Sequence, residues 1–229
     1  MSFDVALILQ SVPQILEGVR LTIQLHLISL ALGTGLALGL ALLRISPNPL
    51  LSWPALIYIY VFRGTPLLVQ VAIVYYGLAQ FELVRNSALW PILREPFWCA
   101  ILAFTLNVTA YTAEILRGGI QGVDRGLIEA GRALGLSVRH RFTHITIPIA
   151  VRLSIPAYGN EMISLLKGTA LASMITMYDV TGVARVIVSR TFAPYEIFIS
   201  AAIVYLALTW LIQQGVKLAE RRFNRYLRK

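Results

Sequence analysis

The chain has 229 residues, of which 57% are hydrophobic and only 14% are charged, and its formal net charge is +9. A soluble domain carries about 25% charged residues, so this composition excludes an ordinary soluble enzyme or binding module. The single cysteine, Cys99, excludes an internal disulfide framework. We also expect no cleaved signal peptide, because Lys and Arg are absent from the first 19 residues.

Long apolar stretches follow one another along the chain. A helix needs about 20 mainly apolar residues to cross a bilayer, where its backbone satisfies its own hydrogen bonds. A β-barrel would alternate apolar and polar residues, which the run from Leu27 to Leu43 does not do. The predicted fold class is all-α integral membrane, one domain over residues 1–229, with five transmembrane helices at about 18–43, 54–80, 97–117, 154–176 and 195–217. The fourth span is the weakest, because Glu161 and Lys167 interrupt it.

Basic residues mark the side of the membrane on which each loop lies. They are concentrated in the loop 118–153 and in the C-terminal tail, which holds Lys217, Arg221, Arg222, Arg225, Arg228 and Lys229. An excess of Lys and Arg marks the cytoplasm. We therefore expect the N-terminus outside, the C-terminus and loop 118–153 inside, and no nucleic-acid partner, since basic residues beside a lipid bilayer are the ordinary case.

The loop 118–153 has the pattern of two short helices. Asp124 is a candidate N-cap for the first, and Gly135 is typical of its end. The second is predicted to begin after Ser137 and to end before Pro148. Such a pair would present a compact knob to a cytoplasmic partner; the alternative is a solvated connection between two spans.

The spacing within this loop resembles the EAA loop of ABC-importer permeases, which reads E-A-A, three residues, G, nine residues, I-x-L-P. The matching positions here are Glu129, Ala130, Gly131, Gly135, Ile145, Thr146, Ile147 and Pro148. The chain departs from the pattern at Gly131, where the family has Ala, and at Ile147, where it has Leu.

Three further stretches resemble the branch of that family that carries amino acids. They are FRGTPLLVQ (62–70), AYTAEILRGG (110–119) and the segment 156–171, which is similar to permeases for histidine, lysine, arginine, ornithine and opines. The resemblance implies an ABC importer permease fold with a cytoplasmic coupling helix that docks on an ATPase. It also implies that Glu129, Ala130, Gly131, Gly135 and Pro148 couple the permease to that ATPase.

The resemblance implies partners as well. They are two ATPase subunits that hold ATP and Mg, a second permease that is identical or homologous, and a periplasmic solute-binding protein. The chain itself contains no GxxxxGK[ST] phosphate loop, so we expect no cofactor in it and no enzymatic activity. His140 and His144 have no third ligand nearby in the sequence, and we expect no metal site.

Charged side chains within spans cost about 2.5–3.5 kcal/mol each and tend to face a pathway. The substrate-binding candidates are Arg63, Thr65, Glu114, Glu161, Lys167 and Thr169. Glu161 lies near mid-depth and is predicted to accept a cationic group, with Lys167 or Thr169 holding a carboxylate or lining a gate. The alternative is that these charges only pair with other helices. An ideal helix separates Glu161 from Lys167 by about 240°, so the two meet only if the helix breaks.

Glu114 and Arg117 have the same ambiguity, because they can also form a structural ion pair. Arg63 precedes Gly64-Thr65-Pro66, a sequence that predicts a bend. Taken with the resemblance, these residues predict a bacterial inner-membrane permease for a cationic amino acid or an opine-like derivative. A permease for a neutral polar amino acid such as glutamine, an ion-coupled secondary transporter and a membrane-embedded enzyme are the alternatives.

Overall fold

The computed structural model describes residues 4–223, in which helices are joined by turns and short irregular segments and no strand occurs. Arg225, Arg228 and Lys229, counted above in the basic tail, lie outside the described residues. The helices are α1 Val5–Leu16, α2 Val19–Arg44, α3 Pro49–Gly64, α4 Leu67–Ala72, α5 Glu82–Arg85, α6 Trp90–Leu93, α7 Pro96–Gln121, α8 Arg125–Ala133, α9 Val138–Arg141, α10 Ile147–Gly168, α11 Val180–Thr191 and α12 Pro194–Phe223.

Three of these helices, α2, α7 and α12, are long and apolar enough to cross a bilayer without a break. The shorter two have 26 residues each, which at 1.5 Å per residue gives about 39 Å, more than the hydrocarbon thickness of about 30 Å. Helices α2, α7 and α12 correspond to the first, third and fifth predicted spans.

Two further spans are bent. Helix α3 and the continuation of α4 to Gln80 meet at 103°. Helix α10 continues as a 3₁₀ helix from Thr169 to Ile175, and this extended helix meets α11 at 49°. Counting each bent pair as one span gives five, which confirms the predicted all-α fold with five transmembrane helices. The helix α11, with the turn before it, was not predicted.

Helix α7 forms the centre of the bundle, between α2 and α10. Phe104 and Val108 of α7 are fully buried in the main hydrophobic cluster. Gly33 allows α2 to approach closely, because a Cβ at that position would lie 2.8 Å from Cγ1 of Val108. Thr109 adds a hydrogen bond across the same contact, donating from Oγ1 to the carbonyl oxygen of Gly33 at 3.3 Å.

A second layer joins the two ends of the chain. Helix α1 packs along α12, where the hydroxyls of Ser11 and Ser200 lie 3.0 Å apart in a buried contact. The start of α11 is held on α2, because Oγ1 of Thr22 accepts a hydrogen bond from the N–H of Val180 at 3.2 Å. The 12-residue α1 is shorter than a membrane span, and its packing against α12 was not predicted.

Candidate functional site

The 103° bend between α3 and α4 is built by a buried polar network. Pro66 has no N–H and restricts the preceding Thr65, which is extended at φ −112° and ψ 143°. Nε2 of Gln70 then donates to the carbonyl oxygen of Phe62 and to Oγ1 of Thr65, both at 2.8 Å. Asn107 of α7 fixes the amide by donating from Nδ2 to Oε1 of Gln70 at 2.9 Å. Carbonyl groups that the break would leave unpaired are therefore satisfied, and the bend predicted at this sequence is stable.

A cavity of about 590 Å³ lies beside this bend, between α2, α3 and α7. Arg63, Thr65 and Glu114, three of the predicted substrate residues, line it together. Arg44 and Tyr111 line it as well. The structure thus brings half of the predicted substrate residues to one place.

Glu114 is held by a bidentate ion pair within α7. Nε of Arg117 lies 2.9 Å from Oε1 of Glu114, and Nη2 lies 2.7 Å from Oε2. The side chain of Glu114 is only 16% exposed. Bidentate pairs of this kind combine charge with fixed geometry and are among the stronger hydrogen bonds in proteins. Glu114 therefore has its partner within one turn of its own helix.

Two more guanidinium groups approach the same carboxylate without reaching hydrogen-bond distance. Nε of Arg44 lies 4.0 Å from Oε1 of Glu114, and Nη1 of Arg63 lies 4.0 Å from Oε2. Arg63 also lies over the ring of Tyr111, 5.2 Å from its centroid, at a distance typical of a cation–π contact. Sequence reasoning missed Arg44, because an arginine at the end of a span is ordinary juxtamembrane charge.

Glu161 lies elsewhere, on the side of α10 that faces α7. Seven residues earlier on the same helical face, Ser154 donates a hydrogen bond to the carbonyl oxygen of Ile115 in α7 at 3.3 Å. Four residues later, Leu165 belongs to the main hydrophobic cluster. Glu161 is 9% exposed, and no ion pair among residues 4–223 involves it. It is a buried carboxylate without an ion pair in the described part of the chain, and Arg63 of α3 is the cation that acts on its charge from a longer distance.

Lys167 and Thr169 do not join Glu161. Helix α10 runs unbroken from Ile147 to Gly168, so the break that would bring Lys167 to Glu161 does not form. Lys167 is exposed and lines a groove with Tyr205 of α12. Thr169 is fully buried, and its hydroxyl donates to the carbonyl oxygen of Leu166 at 2.7 Å. Lys167 and Thr169 therefore do not share a site with Glu161 within this chain.

Residues Arg125 to Thr146, here called the α8–α9 projection, form a unit of their own. Asp124 caps α8 by accepting from the N–H of Gly126 at 2.6 Å, and Gly135 ends that helix region with φ +76°, both as predicted. Ser137 caps α9. The sequence predicted that the second helix ends before Pro148, and this prediction was wrong. The helix continues through a π turn, Phe142–Thr146, whose shifted hydrogen-bond register accommodates a residue without an N–H.

The two halves of the projection are locked together. Gly131 of α8 is buried, and a Cβ there would lie 2.8 Å from Cδ1 of Ile145. Arg141 also donates to the carbonyl oxygen of Leu136 at 2.6 Å. The outer surface is exposed and includes Glu129, Ala130, Leu134, Gly135 and Val138. Pro148, in the first turn of α10 just after the projection, is exposed as well. Gly131, the departure from the E-A-A pattern, is thus the position at which α8 contacts the π turn.

Residues 31–225 match the family of binding-protein-dependent transport system inner membrane components. The chain belongs to this family. The permease is 47% identical over 226 residues to the nopaline transport system permease protein of Agrobacterium fabrum, covering 98% of this chain and 94% of that one. It is 39% identical over 212 residues to the histidine/lysine/arginine/ornithine transport system permease protein of Escherichia coli K12, covering 92% and 89%.

Solved structures agree with the fold. A crystal structure of an amino acid ABC transporter with histidines superposes with a TM-score of 0.85 at 35% identity, covering 97% of the permease and 100% of that chain. An inward-facing methionine ABC transporter superposes with a TM-score of 0.76 at 17% identity, which shows the fold alone.

The resemblance read from the EAA loop is therefore confirmed. The chain is the transmembrane permease subunit of an ABC importer, a multi-pass protein of the inner membrane, and ATP is hydrolysed by a separate ATPase. Sequence reasoning did not assign Gln70 and Asn107 to the bend, because a single amide side chain in an apolar run is a weak signal that is also found at positions without a function.

Proposed function

We propose that this permease carries a cationic amino acid or an opine, and that Glu161 accepts the cationic group during passage. The observation that carries the proposal is the buried, unpaired carboxylate of Glu161 on the face of α10 that packs toward α7. The names of the relatives support the same solute class, since these proteins are transport system permeases for nopaline, for octopine, and for histidine, lysine, arginine and ornithine.

The energetics favour a ligand for Glu161. A buried charge is costly unless it is paired, and acidic residues within spans mark substrate pathways. An ammonium or guanidinium group of a solute would supply the missing partner in a region of low dielectric. Lys167 and Thr169 stay predictions for a carboxylate contact or a gate, with Lys167 exposed in a groove beside α12 and Thr169 buried.

The α8–α9 projection is the proposed contact with the ATPase. Its outer surface carries Glu129 and Ala130 beside large apolar side chains, of which Leu134 is 81% exposed. Because Gly131 is buried against Ile145, the projection can move as one body when an ATPase subunit moves. Pro148 lies where the projection passes into α10, the helix that carries Glu161. Movement of the projection would therefore reach the proposed solute site along one continuous helix.

The complete transporter in this proposal contains two ATPase subunits holding ATP and Mg²⁺, a second permease and a periplasmic solute-binding protein. The projection and the C-terminus face the cytoplasm, and the N-terminus lies outside. ATP binding would close the ATPase dimer and open the permease outward to receive the solute. Hydrolysis would return it inward.

The solute class is tested by uptake into proteoliposomes that contain this permease, its second permease, the ATPase and the binding protein. We expect ATP-dependent uptake of labelled arginine or octopine and little uptake of glutamine. Uptake of glutamine alone would replace the cationic solute with a neutral one. Uptake without the ATPase would overturn the importer mechanism and favour an ion-coupled transporter.

A further inference from the structure

The cavity beside the α3–α4 bend has an excess of positive charge. Three guanidinium groups, those of Arg44, Arg63 and Arg117, lie within 4.0 Å of the single carboxylate of Glu114. Three positive charges and one negative charge leave an excess of two. Arg117 is the group that neutralises Glu114, because it alone makes hydrogen bonds to both of its oxygens.

The guanidinium groups of Arg44 and Arg63 have N–H donors that are available to hydrogen-bond a ligand. Nε of Arg44 is buried and has no hydrogen-bond partner within residues 4–223. The guanidinium of Arg63 is positioned by the ring of Tyr111 and by no closer contact to Glu114 than 4.0 Å. A buried donor without a partner costs about 1–3 kcal/mol, which a ligand that accepts its hydrogen bond would recover.

Both arginines lie beside the same carboxylate, that of Glu114. They come from different helices, α2 and α3, yet each lies 4.0 Å from an oxygen of the same carboxylate. Both line the same cavity of about 590 Å³, a volume within the range of about 300–1,000 Å³ typical of small-molecule sites. Arginine pairs are suited to carboxylates, because the planar guanidinium matches a carboxylate in a bidentate geometry.

We propose that Arg44 and Arg63 bind the carboxylate of the transported solute in this cavity. The inference rests on the proposed transport of an amino acid or opine and adds a second recognition point, one for an anionic group, whose Arg63 lies within electrostatic range of Glu161. The carboxylate docks between the two guanidinium groups, while Glu114 stays with Arg117. Solutes with an additional carboxylate, as in octopine, fit the excess of two positive charges.

The test compares L-arginine with L-argininamide, which lacks the carboxylate but keeps the guanidinium and the α-amino group. Saturation-transfer difference NMR measures the affinity of each for the permease–ATPase complex in nanodiscs. We expect the wild type to prefer arginine by about tenfold or more, since hydrogen bonds to charged groups contribute about 1.5–3 kcal/mol, or 10- to 100-fold. Arg44→Gln and Arg63→Gln should each reduce that preference to below threefold while leaving the affinity for argininamide within twofold.

The control variant is Arg85→Gln, which makes the same change at an exposed arginine near Glu82, outside the cavity. It should keep the preference of the wild type. Arg63→Lys, which retains the charge but not the planar geometry, should keep more of the preference than Arg63→Gln. This pair separates loss of a carboxylate contact from a general loss of folding.

Three results would overturn the carboxylate site. One is a wild type that binds arginine and argininamide equally. Another is a loss of affinity for both compounds to the same extent in Arg63→Gln, which indicates a structural role. The last is displacement of arginine by phosphatidylglycerol in the nanodisc, which indicates a lipid headgroup site.

Failure of the proposed solute class has a different signature. A wild type that binds neither arginine nor argininamide, but prefers glutamine over glutaminamide, removes the cationic solute. If Arg63→Gln then abolishes that preference for glutamine, the carboxylate site stands.

Discussion

Glu114 and Glu161 are both acidic residues within membrane helices, yet their surroundings differ. Glu114 is surrounded by three arginines and forms a bidentate pair with Arg117, one turn along its own helix. Glu161 is buried on α10 with no ion pair among residues 4–223. The sequence signal was the same for both, a charge in an apolar run.

The charge of Glu114 is neutralised within the chain, whereas that of Glu161 has no ion-pair partner among residues 4–223 and is the one proposed to bind a ligand. At Glu114 the negative charge is compensated, and the uncompensated groups are the two neighbouring arginines. At Glu161 the uncompensated group is the carboxylate itself. Under the two proposals above, a solute with both a cationic and an anionic group would find a complement to each, with Arg63 as the cation within electrostatic range of Glu161.

The largest expected effect is that of Glu161→Gln on transport. Removing the charge that accepts a cationic group should reduce uptake of labelled arginine by about 10- to 100-fold, the equivalent of 1.5–3 kcal/mol for a hydrogen bond to a charged group. The measurement is initial uptake by proteoliposomes containing the whole importer. Glu17→Gln, at an exposed position, is the matched control. Unchanged uptake in Glu161→Gln would assign that residue to packing.

Glu114→Gln should act on stability. It breaks the bidentate pair with Arg117 and leaves three arginines without their carboxylate, so we expect a loss of about 1.5–3 kcal/mol. Thermal unfolding of the detergent-solubilised complex measures it. Glu95→Gln removes an exposed pair with Arg94, for which about 0–1 kcal/mol is typical. Equal destabilisation by the two variants would contradict the structural role of Glu114.

Gln70→Ala tests the bend that frames the cavity. The change removes the donor to Phe62 and Thr65 and leaves Asn107 with only its longer hydrogen bond to the carbonyl oxygen of Phe62, at 3.3 Å, so we expect a cost of about 1–3 kcal/mol. Thermal unfolding is again the measurement. Gln80→Ala, at an exposed position on the same span, should change stability by less than about 0.5 kcal/mol. A bend held by Pro66 alone would make the two variants equivalent.

Lys167→Gln is expected to have the smallest effect. The side chain lies exposed in a groove beside α12, on a different face of α10 from Glu161. Arginine uptake should therefore change by less than about twofold. A loss comparable to that of Glu161→Gln would show that Lys167 contacts the solute in the assembled transporter, where a second permease is present.

Much of the fold follows from local sequence. Apolar runs predict the spans. Pro66 predicts a bend because it restricts the conformation of the residue before it, and Gly135 predicts a helix end because glycine adopts positive φ without strain. The position of α1 against α12 rests on contacts such as the one between Ser11 and Ser200, which are 189 residues apart in the sequence. No periodicity within a short segment contains that information.

The candidate site shows the same division. Glu129 and its neighbours were found because their spacing is a local pattern in one loop. Arg44 was not found, since its significance comes from its approach to Glu114, a residue on another helix. The separation of Lys167 from Glu161 likewise depends on α10 remaining unbroken between them.

The central claim is that this chain is a permease driven through the α8–α9 projection by an ATPase. The most direct test is ATP hydrolysis by the complete importer in proteoliposomes, with and without solute-loaded binding protein, for the wild type and Glu129→Lys. Glu82→Lys, at an exposed glutamate outside the projection, controls for the change of charge in co-purification with the ATPase. We expect loaded binding protein to stimulate hydrolysis in the wild type, and Glu129→Lys to abolish the stimulation or release the ATPase. Stimulation equal to that of the wild type in Glu129→Lys, or a permease that never associates with an ATPase, would contradict the claim.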